Sequence, residues 1–307
     1  MLPKQERQAI IDLINREVVP AIGCTEPIAV ALCAARAAEM LGELPLRVEV
    51  DLSMNVLKNA MGVGIPGTGG MIGLPIAVAL GSLIGKSEYK LEVLRDATPE
   101  AVERGKQFIA EERISIGLKE DISEKLYIEI AVSAEDKRAV AIIAAGHTNF
   151  VYEEADGKVL LDNRQPAAGE AAASDDVPLT LRKVYDFAMT TPLEELRFIL
   201  ESKRLNKAAA EASLKATYGH TLGRTLRGER QRMVVGDTVL SRVLSYTAAA
   251  CDARMAGAMI PVMSGVMLSS GSITSASVNS SFFAYFIFTF EEICGILIIY
   301  AFANIKS

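Results

Sequence analysis

The chain has 307 residues and a formal net charge of −6, and half of its residues are hydrophobic. Proteins that bind nucleic acid normally present a basic face to the polyanion. The acidic balance and the lack of a basic stripe therefore argue against a nucleic-acid partner. The hydrophobic share is large enough to fill one large core or two ordinary ones.

The N-terminus and the cysteines indicate a cytoplasmic protein. The first twenty residues lack the apolar run and the small-residue cleavage site of a secretory signal. The four cysteines, Cys24, Cys33, Cys251 and Cys294, are widely scattered, whereas disulfide frameworks belong to small secreted domains. We expect free thiols or metal ligands, with Cys33 as a small buried hydrophobic residue.

Hydrophobic periodicity predicts helices first and then a small sheet. Apolar residues at helical spacing predict a helix over 4–19 that Pro20 ends. A second helix is expected over 26–41, since Thr25 can cap it and Pro27 suits its first turn. Later predictions are a strand over 47–53, a buried helix over 74–85, a helix over 99–112, and strands near 113–118, 125–133, 138–145 and 149–154.

The remainder is predicted to be mainly helical. Residues 162–178 are rich in small, acidic and proline residues, which is typical of an exposed connector. The expected fold is α+β, with a small sheet-and-helix domain over 46–165 joined to a mainly α-helical domain over 175–307. The N-terminal helices of residues 1–45 are expected to pack on the helical domain.

The apolar stretch at 282–304 is about long enough to span a membrane, but Glu291 and Glu292 lie at its middle. Each carboxylate costs on the order of 3 kcal/mol on insertion scales. A buried or oligomer-forming helix is therefore favoured over a membrane span, and a homo-oligomer is an open expectation.

Six glycines fall within residues 62–73, between an expected strand and an apolar helix. Such a density indicates positive φ angles or a backbone that approaches a ligand closely. The spacing matches neither common phosphate-binding pattern. The stretch instead offers donors for a carboxylate, from the side chains and the loop backbone: Asn55, Lys58, Asn59, Gly67, Thr68 and Gly69. The alternative is a structural turn with a solvated lysine.

Three further residues are candidates for chemistry. His147, with Asn149 beside it, follows a strand-like run and is a possible general acid or base, or a histidine satisfied by its neighbours. Cys24 is expected at a helix N-terminus, where the dipole favours a thiolate that attacks or binds iron. Cys251, with Asp252 and Arg254 beside it on an alanine-rich helix, is a further candidate, and a buried cysteine next to an intrahelical ion pair is the alternative.

Four stretches, GCTEPIAVAL at 23–32, NVLKNAMGVGIPGTGG at 55–70, AGHTN at 145–149 and TAAACDARMAGAMIPVMS at 247–264, together resemble the L-cysteine desulfidase family. That family is related to the iron-sulfur L-serine dehydratase alpha chain. The resemblance implies an iron-sulfur lyase without PLP that releases sulfide, ammonia and pyruvate from L-cysteine, or eliminates water from L-serine. Beyond residue 264 the family pattern stops, so its C-terminal third is expected to be missing or replaced.

The resemblance also implies roles for the matching residues. Cys24, with Cys251, would bind a [4Fe-4S] cluster. His147 would move a proton and Lys58 would bind the substrate carboxylate, with Asn55, Asn59, Gly67, Thr68, Gly69 and Asn149 around the small amino acid. The alternatives are a lyase made inactive by truncation, a non-catalytic protein that binds a small amino acid, a membrane-associated relic of the family, and a PLP lyase that uses Lys58.

Overall fold

The computed structural model describes residues 2–122, 124–164, 179–231 and 239–263. In chain order its helices and strands are α1 (Lys4–Glu17), β1 (Pro20–Ile22), α2 (Thr25–Leu41), β2 (Arg47–Leu52), α3 (Met54–Ala60), α4 (Leu74–Ile84), α5 (Pro99–Ala110), β3 (Ile114–Leu118), β4 (Tyr127–Ser133), β5 (Arg138–Ala144), β6 (Phe150–Ala155), β7 (Lys158–Asp162), α6 (Leu181–Thr190), α7 (Leu200–Lys215), α8 (Leu222–Gln231), α9 (Val239–Met255) and β8 (Pro261–Met263). Two short 3-10 helices span Ser87–Glu92 and Leu193–Ile199. The predicted α+β fold is confirmed.

The chain divides into two compact units. The sheet unit consists of the described residues of Ala21–Ala167 together with Arg254–Met259. The helical unit consists of the described residues of Met1–Pro20, Ala168–Ala253 and Ile260–Ser307. The chain therefore leaves the sheet unit after β7 and returns to it for six residues at the end of α9.

The sheet unit is built on a six-stranded mixed sheet in the order β3-β2-β4-β5-β6-β7. Strands β2 and β3 are parallel, and every other neighbouring pair is antiparallel. Alternate residues of β2, Val48, Val50 and Leu52, are at most 1% exposed. Their partners in β4 are also buried, so one continuous apolar face runs along the centre of the sheet.

Helix α2 packs against this apolar face. The thiol of Cys33 lies 3.3 Å from the carbonyl oxygen of Ala141 on β5, and the residue is fully buried, as its sequence predicted. Arg36, one turn further along, donates two hydrogen bonds of 2.9 and 2.6 Å to the carboxylate of Glu153 on β6. Because this pair is planar and has two parallel hydrogen bonds, it fixes the rotation of α2 about its own axis relative to the sheet.

Four features of the sheet unit differ from the sequence predictions. The second helix lies with the sheet, not with the helical unit, because its alanine-rich surface is buried there. Residues 254–259 also belong to the sheet unit. Residues 54–60, predicted as the start of the glycine loop, form α3, because Ser53 caps a helix there by accepting from the amide of Val56. Strand β7 is an additional edge strand of the sheet.

The helical unit has its own apolar core, which includes Ile10, Ile14, Val184, Phe187, Leu196 and Leu205. Arg7 on α1 donates to both carboxylate oxygens of Glu195, at 3.2 and 3.0 Å. Asp252 accepts a 2.8 Å hydrogen bond from the amide of Gly223 and so caps the start of α8.

Among the described residues, no helix is both long enough and apolar enough to cross a membrane. The predictions for the apolar stretch at 282–304, for Cys294 and for most of the connector at 162–178 lie outside the described residues.

Candidate functional site

Segments far apart in sequence meet within the sheet unit. The N-terminus of α2 contacts the glycine loop, since a Cβ on Gly23 would lie 2.5 Å from the ring of Pro66. The end of α9 contacts both the N-terminus of α2 and the glycine loop. Arg254 donates to the carbonyl of Gly23 at 3.0 Å. The carbonyl of Met255 accepts from the amide of Gly64 at 2.8 Å. These contacts assemble one site from residues 23–26, 59–73 and 254–257.

The centre of this site is the half-buried carboxylate of Glu26. One oxygen accepts from the thiol of Cys24 at 3.0 Å and from the hydroxyl of Thr25 at 3.2 Å. The other accepts from the side-chain amide of Asn59, on α3, at 3.3 Å. With Arg254, which bonds Thr25, these residues are called the Glu26 cluster below.

The environment of Glu26 favours its ionised form. Burial raises the pKa of the carboxyl, but the hydrogen bonds from Cys24, its own backbone amide and Thr25, together with the charge of His147, outweigh burial and lower that pKa. Glu26 is therefore a fixed negative charge at neutral pH.

The environment of Cys24 favours the thiol over the thiolate. Burial raises its pKa to about 12, and the charge of Glu26 adds to this effect, while Arg254 opposes it. The helix dipole, which was expected to favour a thiolate here, is therefore outweighed. Desolvation and an adjacent carboxylate exceed the effect of a helix dipole, which supplies only about 0.3–1 kcal/mol at ordinary sites.

His147 lies in the turn between β5 and β6 and is half-buried. The turn begins at Ala145, which has a left-handed φ of 64°, a conformation that costs a non-glycine residue about 1–2 kcal/mol. Asn149 closes the turn: its side-chain amide donates to the carbonyl of Ala144 at 2.9 Å. The predicted ligand Asn149 thus supports the turn that presents His147.

The glycine loop is a compact turn that the side chain of Thr68 holds closed. The hydroxyl of Thr68 donates to the carbonyl of Ile65 at 2.7 Å and accepts from the amide of Met71 at 3.1 Å. Thr68 is 7% exposed, so it holds the loop closed. Gly69 and Gly70 are exposed, have φ values of 69° and 104°, and have open space where a Cβ would stand. Their backbone faces solvent at the tip of the loop.

The remaining predicted ligands are spread over the surface and the helical unit. Asn55 and Lys58 are exposed on α3, while Asn59 of the same helix points to Glu26. Gly67 is half-buried and lies over Ala97, where a Cβ would come within 2.7 Å of that side chain. Cys251 is half-buried on α9, within the helical unit.

Glu26 was not a candidate from the sequence, and Arg254 was a candidate only as a neighbour of Cys251 and Asp252, although both residues lie inside motifs quoted above. The available signal was their position. Glu26 is an acidic residue in the first turn of a helix, and Arg254 is a charged residue in an alanine-rich and glycine-rich stretch whose small neighbours indicate burial.

The described residues do not by themselves form a site for a [4Fe-4S] cluster. Such clusters are held mainly by cysteine thiolates, and nowhere in the described ranges do three His, Cys, Asp or Glu side chains group as metal ligands. Cys24 is one thiol, already hydrogen bonded to Glu26. The cluster therefore stays a prediction, and no reaction step below depends on it.

Comparison with known proteins gives close relatives. A protein of Bacteroides thetaiotaomicron is 67% identical over 261 residues, which cover 85% of this chain and 60% of the relative. A protein of Bacteroides fragilis is 64% identical over 263 residues, covering 86% of the chain and 61% of the relative. These relatives are named UPF0597 proteins. One from Aeromonas hydrophila, 41% identical over 256 residues, has the same name.

The names of these relatives correct the resemblance stated above. Proteins 64–67% identical to the chain are named UPF0597 proteins, and not L-cysteine desulfidases or L-serine dehydratases, so that assignment is wrong. The chain spans about three fifths of the length of these relatives. The names of these relatives state no activity, so they do not conflict with an enzymatic function. No protein-family model and no solved structure matches the chain.

Proposed function

We propose that the Glu26 cluster and His147 form the active site of a cytoplasmic lyase that acts on a small amino acid. The reaction is elimination of the β-substituent without PLP: sulfide from L-cysteine or water from L-serine. The observation that supports this proposal most directly is the position of Glu26, whose carboxylate is kept ionised beside a thiol, an amide and the charge of His147.

An α,β-elimination needs a base at Cα and a place for the leaving group. His147 is the residue of this site whose ordinary pKa lies near neutral pH, so it can take the Cα proton. The electron pair of the C–H bond forms the Cα–Cβ double bond, and the C–S or C–O bond breaks. Sulfide or hydroxide leaves with that bonding pair, and the proton held by His147 is then available to neutralise it.

The organic product of this step is aminoacrylate. It tautomerises to the imine, which water hydrolyses to pyruvate and ammonia. Glu26 stays ionised throughout, so its role is to hold the substrate ammonium group and to stabilise the imidazolium that forms when His147 takes the proton. The protonated Cys24 donates to Glu26 and restricts that carboxylate to one orientation.

The test is turnover by the whole chain. Anaerobically purified protein is supplied with L-cysteine or L-serine, and pyruvate, ammonia and sulfide are measured. We expect pyruvate and sulfide in equal amounts from L-cysteine, and a loss of about 10²–10⁴ in kcat for His147→Gln, the range for a general base. Iron analysis of the same preparation tests the predicted cluster.

Glu103→Gln is the matched control, because Glu103 is 63% exposed on α5 and pairs only with the neighbouring Lys106 among the described residues. It should keep the wild-type rate. The proposal fails if the wild-type chain releases neither pyruvate nor sulfide, or if His147→Gln turns over at the wild-type rate.

Two other functions stay open as predictions. A non-catalytic protein that binds a small amino acid would use the same cluster, and would show binding without products. A PLP lyase would use Lys58, whose side chain is exposed on α3. Borohydride reduction of protein saturated with PLP would label Lys58 only in the second case.

A further inference from the structure

Arg254 is a buried cation whose hydrogen bonds to the described residues are with neutral groups. The residue is 8% exposed at the end of α9. Its Nε donates to the carbonyl of Gly23 at 3.0 Å, and one terminal nitrogen donates to the hydroxyl of Thr25 at 3.4 Å. Within the described part of the chain, no carboxylate forms an ion pair with it.

This arrangement is unusual for a buried guanidinium. Removing a charge from water is unfavourable unless a counter-charge compensates it, and a carbonyl and a hydroxyl supply only partial charges. A guanidinium has five N–H donors, of which the two contacts use two. Among the described residues the other N–H donors have no hydrogen-bond partner, so they are available to an anion.

The neighbours of Arg254 indicate what kind of anion fits. Thr25 bridges the two charged groups of the cluster, because its hydroxyl accepts from Arg254 and donates to Glu26. The site therefore presents a fixed positive charge and a fixed negative charge on either side of one hydroxyl. A zwitterion with a carboxylate and an ammonium group close together complements that pattern.

We propose that Arg254 is the carboxylate receptor of this site and that it binds the α-carboxylate of a small amino acid while Glu26 faces the ammonium group. Two parallel N–H donors of a guanidinium match the two oxygens of a carboxylate. The exposed Lys58, to which the sequence analysis gave this role, lacks the buried setting that makes such an ion pair selective. The proposal names the ligand for the lyase site proposed above and rests on that function.

The experiment compares two ligands that differ only in the carboxylate. L-Alanine has no β-leaving group, so it is not consumed, and ethylamine is L-alanine without its carboxylate. Calorimetric titration of the whole chain should give binding of L-alanine at least ten times tighter than that of ethylamine. Arg254→Met should abolish this preference. Arg254→Lys, which keeps the charge but not the paired donors, should retain part of it.

Arg47→Met is the matched control, because the side chain of Arg47 is 65% exposed on β2 and pairs with Glu49. It should keep the wild-type preference. Circular dichroism shows whether Arg254→Met folds, and the wild-type comparison of the two ligands is decisive even if it does not. Equal binding of both ligands by the wild type, no binding of L-alanine, or an unchanged preference in folded Arg254→Met would each overturn the proposal.

These outcomes are separable from those of the turnover assay. If L-alanine binding depends on Arg254 but the chain releases no pyruvate, the carboxylate-binding role of Arg254 is supported and the lyase activity is refuted. If Arg254→Lys and Arg254→Met turn over L-cysteine with an unchanged KM, the lyase activity is supported and the carboxylate-binding role of Arg254 is refuted.

Discussion

Replacing Glu26 with glutamine should make Cys24 more reactive. Burial and the charge of Glu26 together hold the pKa of this thiol at about 12. Glutamine keeps the size of the side chain and its carbonyl oxygen but removes the charge. Arg254, which lowers the pKa of Cys24, would then act on the thiol without the opposing charge of Glu26. We expect the thiolate to form at a lower pH in Glu26→Gln.

The separation of the two groups gives the size of the effect. The sulfur of Cys24 and an oxygen of Glu26 are 3.0 Å apart. Two unit charges at that distance repel by roughly 5 kcal/mol at an effective dielectric constant of about 20. This is an upper bound of roughly four pKa units. Because burial remains in the variant, we expect a downward shift of about one to three units.

The assay is the rate of alkylation of Cys24 by iodoacetamide as a function of pH, read by mass spectrometry of peptides from the folded protein. At pH 8 a thiol of pKa near 12 has a thiolate fraction about 1,000 times lower than a thiol of pKa near 9. The thiolate of higher pKa is the stronger nucleophile, which offsets part of this difference. The thiol of pKa near 12 should therefore react roughly 30 to 60 times more slowly. The reasoning is refuted if Glu26→Gln leaves the pH profile of Cys24 unchanged while the protein stays folded.

Two further predictions concern stability. A methyl group on Gly64 would lie 2.4 Å from the backbone of Ala256, so Gly64→Ala should lower the free energy of unfolding by about 1–3 kcal/mol in urea titrations. Gly62→Ala, with nothing within 4 Å, should lower it less, and equal losses would contradict the packing. Because the pKa of Cys24 is raised on folding, the native state keeps a proton that the unfolded chain loses above pH 9. Stability should therefore fall between pH 8 and pH 10, by about 1.5 kcal/mol more in the wild type than in Cys24→Ser; parallel pH profiles would contradict the raised pKa.

The sequence was sufficient to predict the elements whose patterns are local. Strand β2 alternates buried and exposed residues, and Thr98 and Pro99 mark the start of α5, so both elements were located within two residues. Helix α3 was missed because its sequence merges with the glycine loop, and its start depends on one hydroxyl, that of Ser53. The place of α2 on the sheet depends on long-range contacts such as Arg36 with Glu153, which no local pattern encodes.

The chemistry of the site was harder to predict than its location. The sequence marked the right stretches, because glycine density and a histidine after a strand are local signals. From the sequence, Lys58 and Cys24 were expected to be the charged groups, Lys58 as a donor ahead of the glycines and Cys24 at a helix N-terminus. Burial decides otherwise: Lys58 is exposed, Cys24 is kept neutral, and the charges are Glu26 and Arg254.

The position of Arg254 in the chain bears on how the site forms. The sheet unit contains residues 21–164 almost continuously, yet its buried cation comes from residues 254–259, after most of the helical unit has been traversed. Those six residues contribute the bonds to Gly23 and Thr25 and the backbone bond to Gly64. A sheet unit without them would lack Arg254, the positive charge of the Glu26 cluster. The charge pattern of the site is therefore complete only when residues 254–259 are present with residues 21–164.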